Sequence, residues 1–339
     1  MKTVILMATF TAMSQAANYT AEKVTVDGFE VIRLSDHAHN TAVSIVPGIG
    51  NIAYDMKVNG KSLLYFPYES LTQFKAKPGL SGVPFLAPWA NRLDQEAFYA
   101  NGQKYLLNPG LGNLRYDQFH QPIHGLVSFV SEWEVVETKA DGAGAQVTSK
   151  LEFWRHPEWM AQFPFAHTIF MTHRLVDGVL EVHTRIENYS TEPMPVSVAF
   201  HPYYQLDDAP RDEWRVHLAA TTHYTLSPKL IPTGETMTID LPDPLPLAGH
   251  ALDDVFGGVA HDREFSVEGR KEKISIRFGP KFAVAVVYAP PGRNFICFEP
   301  MSGITNAFNL QQSGVYRELQ SIPAGQQWEE SFWIRPSGF

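Results

Sequence analysis

The chain has 339 residues, 44% of them hydrophobic and 12% aromatic, enough to bury a large core. Its formal net charge is -9, with no cluster of Lys and Arg that could hold nucleic acid or an anionic membrane surface. A single cysteine, Cys297, excludes an internal disulfide, so the fold stands on its core alone.

The chain opens with MKTVILMATFTAMSQAANYTAEK, in which Lys2 precedes an apolar stretch from Val4 to Met13 and the small residues Ser14, Ala16 and Ala17. This layout fits a signal peptide over residues 1–17, cleaved after Ala16 or Ala17, and it is too short to span a bilayer. The expected location is therefore periplasmic or secreted; a frayed N-terminus on a cytoplasmic chain is the alternative.

From Val24 onward the pattern is β. VTVDGFEVIRL alternates around an Asp-Gly turn and reads as a hairpin. Alternation returns in VSFVSEWEVVE, GVLEVHTRIENYS, KISIRF, FAVAVVY and QWEESFWIRP, and no long segment carries a helical stripe. The 24 Gly and 24 Pro are spread along the chain without marking a linker. The expected fold is all-β, one large antiparallel β-sandwich domain over residues 22–339. Two irregular stretches, from Ser70 to Tyr105 and from Asn108 to Val127, are dense in aromatics and Arg, which marks them as functional loops.

In VSVAFHPYYQL a strand stops at His201, because Pro202 cannot donate to a ladder and holds the preceding residue extended. Strand ends open onto clefts, and histidine titrates nearest neutrality, which suits proton transfer to an oxygen. A buried histidine bonded to a carbonyl is the plainer reading. In NFICFEPMSG, Phe295, Cys297 and Glu299 share one face of an extended run, and Ile296 and Phe298 the other. A carboxylate closing an apolar strand is costly to bury unless it is hydrogen-bonded or working; a rim carboxylate in water is the alternative. Arg92 in FLAPWANRLD offers a rigid fork of donors, and Gly125 after His124 allows close backbone approach. Pro122 opposes a helical zinc pair from His120 and His124, and no Gly-x-Ser-x-Gly elbow or phosphate-cradling glycine loop is present. No metal and no cofactor are expected.

The segments ANRL, GQKYLLN, HGLV, FPFAHTIFMTHRLVDGVLEVHTRIENYSTEPMPVSVAFHPYYQL, YTLSPKLIPTGE, LDDVF and FEPMSGITNAFN follow one another over roughly residues 40 to 335. In this order they resemble the aldose 1-epimerase, or galactose mutarotase, family. The resemblance implies a galactose-mutarotase-like supersandwich with an open sugar cleft and metal-free interconversion of the α and β anomers of an aldohexose. It implies that His201 is the general acid at the ring oxygen and Glu299 the general base at the C1 hydroxyl. Arg92, His124 and Asp253 match the sugar binders, with Asn91 a neighbour. The family's aspartate lies three residues before the phenylalanine, which selects Asp253 over Asp254.

The expected partner is a monosaccharide, with neither nucleic acid nor membrane; oligomeric state and preferred sugar stay open. Trp89, Phe85 and Tyr203 are candidate stacking surfaces. The approach to His124 is longer and more aromatic than in the family, and Phe200 stands where many members carry a small residue, which implies a reshaped floor beside His201. His201 and Glu299 are expected in one cleft, a pyranose ring's width apart. The competing readings are a hexose-phosphate 1-epimerase, with Arg92 and Arg115 over the phosphate, and a non-catalytic carbohydrate-binding sandwich.

Overall fold

The computed structural model describes residues 18–339. The signal-like segment, residues 1–17, lies outside them. Antiparallel sheets dominate, as the alternation requires. Tyr19–Val26 pairs with Phe29–Asp36 through Asp27 and Gly28, at φ 51° and 83°, the two left-handed positions of a tight primed turn. This first strand begins at Tyr19, ahead of the expected start at residue 22.

The hairpin belongs to a five-stranded sheet that continues through Thr41–Val46, Ile52–Val58 and Lys61–Ser62. A nine-stranded sheet is centred on His167–Val176, Val179–Asn188 and Gln327–Ser337. Val179–Asn188 shows the expected period of two, with every second residue buried. The third sheet has eight strands and runs from the edge strand Pro232–Thr238 through Thr222–Leu226, Leu252–Gly257, Val284–Ala289 and Ile296–Met301 to Ala199–Phe200 and Phe85–Leu86. One apolar cluster draws on all three sheets, with Leu34, Val182 and Phe298 among its members. The α-helices among the described residues are short: Leu71–Ala76, Pro157–Met160 and Ala307–Gln312.

Two local expectations change. Of VSFVSEWEVVE, only the part from Glu134 is strand; Val127 and Trp133 are buried but anchor a turn, whose Val130 carbonyl accepts from the Gly50 N–H. Phe200 is no part of any floor beside His201. It lies in extended backbone one residue earlier, so its side chain leaves the opposite face, where its ring packs 4.9 Å from Phe85 and 4.8 Å from Phe332 in the main core. Phe85 is thereby a core residue too, and Trp89 is likewise buried in the core. Of the three aromatics proposed for stacking on sugar, only Tyr203 lines the cavity described below.

Candidate active site

Pro202 interrupts a strand rather than ending it. Ala199 pairs with Met301 before the break, and Tyr203 and Tyr204 pair with Cys297 and Ile296 after it, in the same register. His201 therefore falls directly across from Glu299. At the break the His201 N–H turns away to the Pro84 carbonyl at 3.0 Å, and the Tyr203 N–H to Gly82 at 2.8 Å. Directly opposed side chains on one face stand about 5 Å apart at Cβ, which brings His201 Nε2 to 3.2 Å from Glu299 Oε1. The expected ring-wide gap is corrected to direct contact, and cross-strand register is the cause.

The same register arranges the next row. Asp253 faces Tyr288, Tyr288 faces Cys297 and Cys297 faces Tyr203. Alternation places Asp253 on the face of Glu299 and turns Asp254 to the other, where its Oδ1 lies 2.8 Å from His223 Nε2. The Tyr203 ring stacks on His201 at 4.7 Å and 5°, which fixes the plane of the imidazole.

The remaining groups arrive on loops. Asn91 and His124 both have left-handed backbone, at φ 53° and 63°, and the His124 N–H donates to the Asn91 carbonyl at 2.9 Å. Gly125 follows at φ 61°, so close to the Ala87 carbonyl that a Cβ would stand 2.1 Å from its oxygen. Arg92 donates from Nη1 to Asn91 Oδ1 at 2.9 Å and from Nε to Asp117 Oδ2 at 2.8 Å. Arg115 donates to the His124 carbonyl and to Ser128 Oγ, at 3.1 and 2.8 Å, with its guanidinium over the Phe129 ring. It braces the His124 turn and does not line the cavity.

Asn91, Arg92, His124, His201, Asp253 and Glu299 line one cavity of about 340 Å³, in the lower range for small-molecule sites. The structure brings all six expected residues together. Among the lining side chains that sequence reasoning missed are Asp117, Gln118, Leu230 and Tyr288. Tyr288 could have been found by counting two residues at a time along FAVAVVY; the other three sit on loops without a period. Buried polar atoms without a protein partner occur in several places among the described residues, and His124 Nδ1, His201 Nδ1 and Glu299 Oε2 are three of them beside the cavity. Each such atom costs about 1–3 kcal/mol unless something polar meets it.

Burial governs the charges. It holds His201 down at about 3, against about 6.5 for a free histidine, with Arg92 adding in the same direction. Burial pushes Glu299 well above the usual carboxylate range; Asp253 adds to this and Arg92 opposes it. Both shifts favour the uncharged forms, a neutral imidazole beside a neutral carboxyl group. His124 is lowered by burial and then by His201, Arg115 and Arg92. Asp253 is raised by burial.

His167 and His173, on the strand His167–Val176, are also buried and lowered to about 4. A histidine whose folded pKa lies below its unfolded one contributes fully above about 6.5 and loses that contribution as pH falls toward the folded value. Glu299 has the opposite sign: its contribution is full below about 4.3 and is lost as pH rises through its raised folded pKa. Stability should therefore fall from pH 6.5 to about 4, with His167 and His173 each costing on the order of 3 kcal/mol. Urea unfolding across this range checks it. His173, whose ring nitrogens have no partner among the described residues, allows a direct comparison: His173→Leu should flatten the decline, and an unchanged slope would contradict the assignment.

A model of the aldose 1-epimerase family matches residues 30–335. Among solved structures, a galactose mutarotase-like protein from Clostridium acetobutylicum superposes with a TM-score of 0.84 at 19% identity, over 95% of this chain and 99% of that one. Galactose 1-epimerase from Lactobacillus acidophilus NCFM gives 0.74 at 12% identity, over 96% and 100%. YihR of Escherichia coli K12, an uncharacterized protein, is 24% identical over 230 residues, 66% of this chain and 70% of its own length. The family match supports an enzyme of the epimerase type with a sugar substrate, and the structural likenesses carry the galactose-mutarotase-like fold. With its own sheets matching theirs and the family model spanning nearly all of it, the chain belongs to the aldose 1-epimerase family.

Proposed function

We propose that the protein is a metal-independent aldose 1-epimerase that interconverts the α and β anomers of a free aldohexose. The observation that carries this reading is the His201–Glu299 pair, opposed in register at 3.2 Å within the cavity. Both oxygens that exchange protons in mutarotation, the ring oxygen and the C1 hydroxyl, are bonded to the same carbon. An acid and a base side by side can reach both.

Ring opening uses the form with the proton on His201 and Glu299 ionised, which burial disfavours in the free site and which the polar sugar would have to favour. Glu299 takes the proton of the C1 hydroxyl, the C1–O5 electrons pass to O5, and His201 gives O5 its proton. The product is an open-chain aldehyde. Rotation about C1–C2 and reclosure with the roles reversed yield the other anomer. Arg92, His124 and Asp253, with Asn91 supporting Arg92, hold the hydroxyls and the ring oxygen.

The charge balance disfavours a phosphorylated substrate. Arg92 is the one cationic side chain lining the cavity among the described residues, against Asp117 and Asp253, and Arg115 is committed to the His124 turn. Polarimetry of freshly dissolved α-glucose and α-galactose, after treatment with a chelator, tests the reading. Accelerated mutarotation supports it, and sugar binding without acceleration favours the non-catalytic sandwich. Export is a further part of the proposal, motivated by residues 1–17: a mature protein beginning at Ala17 or Asn18 would support it, and one retaining Met1 would oppose it.

The two adjacent aspartates separate cavity from surface. Asp253→Ala should raise KM for the sugar about tenfold through loss of a hydrogen bond to a charged acceptor. Asp254→Ala, which breaks the partly exposed contact with His223 and a long 3.2 Å bond from the Asp253 N–H, should leave both kcat and KM within about twofold, since the strand pairing still holds the Asp253 backbone. Steady-state kinetics of the two variants would contradict the placement if their effects were reversed.

A further inference from the structure

The loop before His124 is a built element. Tyr116 bridges Pro122, the Ile123 N–H donates to the Arg115 carbonyl at 2.9 Å, and the Asp117 N–H donates to Gln121 at 3.0 Å, so residues 115–123 form a tight hairpin. The Asp117 carboxylate organises its tip. Oδ1 accepts from the N–H groups of Phe119 and Gln121, both at 2.9 Å, while Oδ2 accepts from Gln121 Nε2 at 3.1 Å and from Arg92 Nε at 2.8 Å. Gln121 is buried and also donates to the Lys229 carbonyl at 2.9 Å, which ties the hairpin to the loop that carries Leu230. Leu230 has φ 60°, a costly conformation for a leucine, held where it lines the cavity. Two loops far apart in the sequence are thus cross-tied into one rim, with Gln118 on the cavity wall.

We infer that this hairpin is the specificity element of the site, with Gln118 reading a sugar hydroxyl remote from C1 and Asp117 a positioning residue that fixes Arg92. The inference rests on the sugar-epimerase reading of the cavity. Three physical reasons converge on it. The acid–base pair lies on the sheet and engages C1, which every aldose shares, so discrimination between aldoses falls to the rim. A glutamine amide both donates and accepts, which suits a hydroxyl. Asp117 engages the guanidinium edge at Nε, which orients Arg92 as a rigid fork.

The test compares D-glucose, D-galactose and D-xylose, which differ at C4 and C6. Gln118→Ala should change the ratio of kcat/KM between at least two of these sugars about fivefold or more, because an unmatched hydroxyl contact is lost for one and not for another. An equal change for all three, or none, overturns the role of Gln118. Asp117→Asn keeps an oxygen for the two backbone N–H groups but loses the carboxylate that holds Arg92. It should raise KM about tenfold in protein assayed well below its unfolding midpoint, which should itself fall because Arg92 Nε and Gln121 Nε2 lose their acceptor, and an unchanged KM overturns the positioning role. Ratios of dissociation constants, read by saturation-transfer NMR, report the same discrimination without turnover. A wild-type protein that binds these sugars without exchanging their anomers would refute the enzyme reading and leave the rim's role testable.

Discussion

Replacing Glu299 with glutamine is expected to lower anomer exchange by on the order of 10²- to 10⁴-fold while leaving the protein folded. Glutamine has the size of the carboxyl it replaces and cannot take the C1 hydroxyl proton. Burial already favours the uncharged form of Glu299, so a neutral amide resembles the resting side chain and little electrostatic stability is lost. His201→Asn should act on the other half of the same transfer and remove activity to a similar degree. Because the two groups stand 3.2 Å apart and serve two halves of one proton transfer, they should behave as a unit: the double variant should be little worse than either single one. Kinetics of the three variants, with unfolding curves alongside, check this. Multiplicative losses would mean that the two groups act independently, and near-normal turnover in E299Q would remove Glu299 from the reaction.

Gly125→Ala should be among the most damaging single-methyl additions to the chain. The left-handed backbone alone costs an alanine about 1–2 kcal/mol. Its Cβ would also stand 2.1 Å from the oxygen and 2.4 Å from the carbon of the Ala87 carbonyl, backbone atoms that cannot rotate away. Relief requires the strand-like contact of Ala87 with Gly125 to open, and the 2.7 Å bond from the Leu126 N–H to the Ala87 carbonyl opens with it. His124 is the adjacent residue, so the damage should appear both as a lowered urea midpoint and as a raised KM. Gly28→Ala supplies the control, since Gly28 has φ 83° with nothing within 4 Å of a Cβ. It should show the conformational cost alone, with sugar kinetics unchanged. Equal destabilisation in the two variants would mean that the close approach at Ala87 is not what requires glycine.

The sequence carried the strands wherever one face is buried, because a period of two survives in Val179–Asn188 and Lys273–Phe278 whatever the partner strand is. It also carried the chemistry of His201 and Glu299, each placed by a following proline. Their contact was not legible. Register between Ile296–Met301 and the interrupted strand at Ala199–Phe200 and Tyr203–Tyr204 is set by sheet pairing, and nothing local to either segment encodes it. Phe200 is the opposite case: the alternation that separates Asp253 from Asp254 also turns Phe200 away from His201, so its place in the core could have been read directly. Asp117, Gln118 and Leu230 sit in turns, where side-chain hydrogen bonds rather than a period decide direction.

If His201 and Glu299 pass protons between the two oxygens of one carbon, the anomers of a bound sugar exchange at a catalysed rate. Saturation transfer between the α and β H1 resonances of glucose or galactose at equilibrium measures this exchange directly, at neutral pH and without a coupled assay. The expected result is an exchange rate that rises in proportion to protein concentration and returns to the spontaneous rate with E299Q. A spontaneous rate in the presence of wild-type protein that demonstrably binds the sugar would contradict the account.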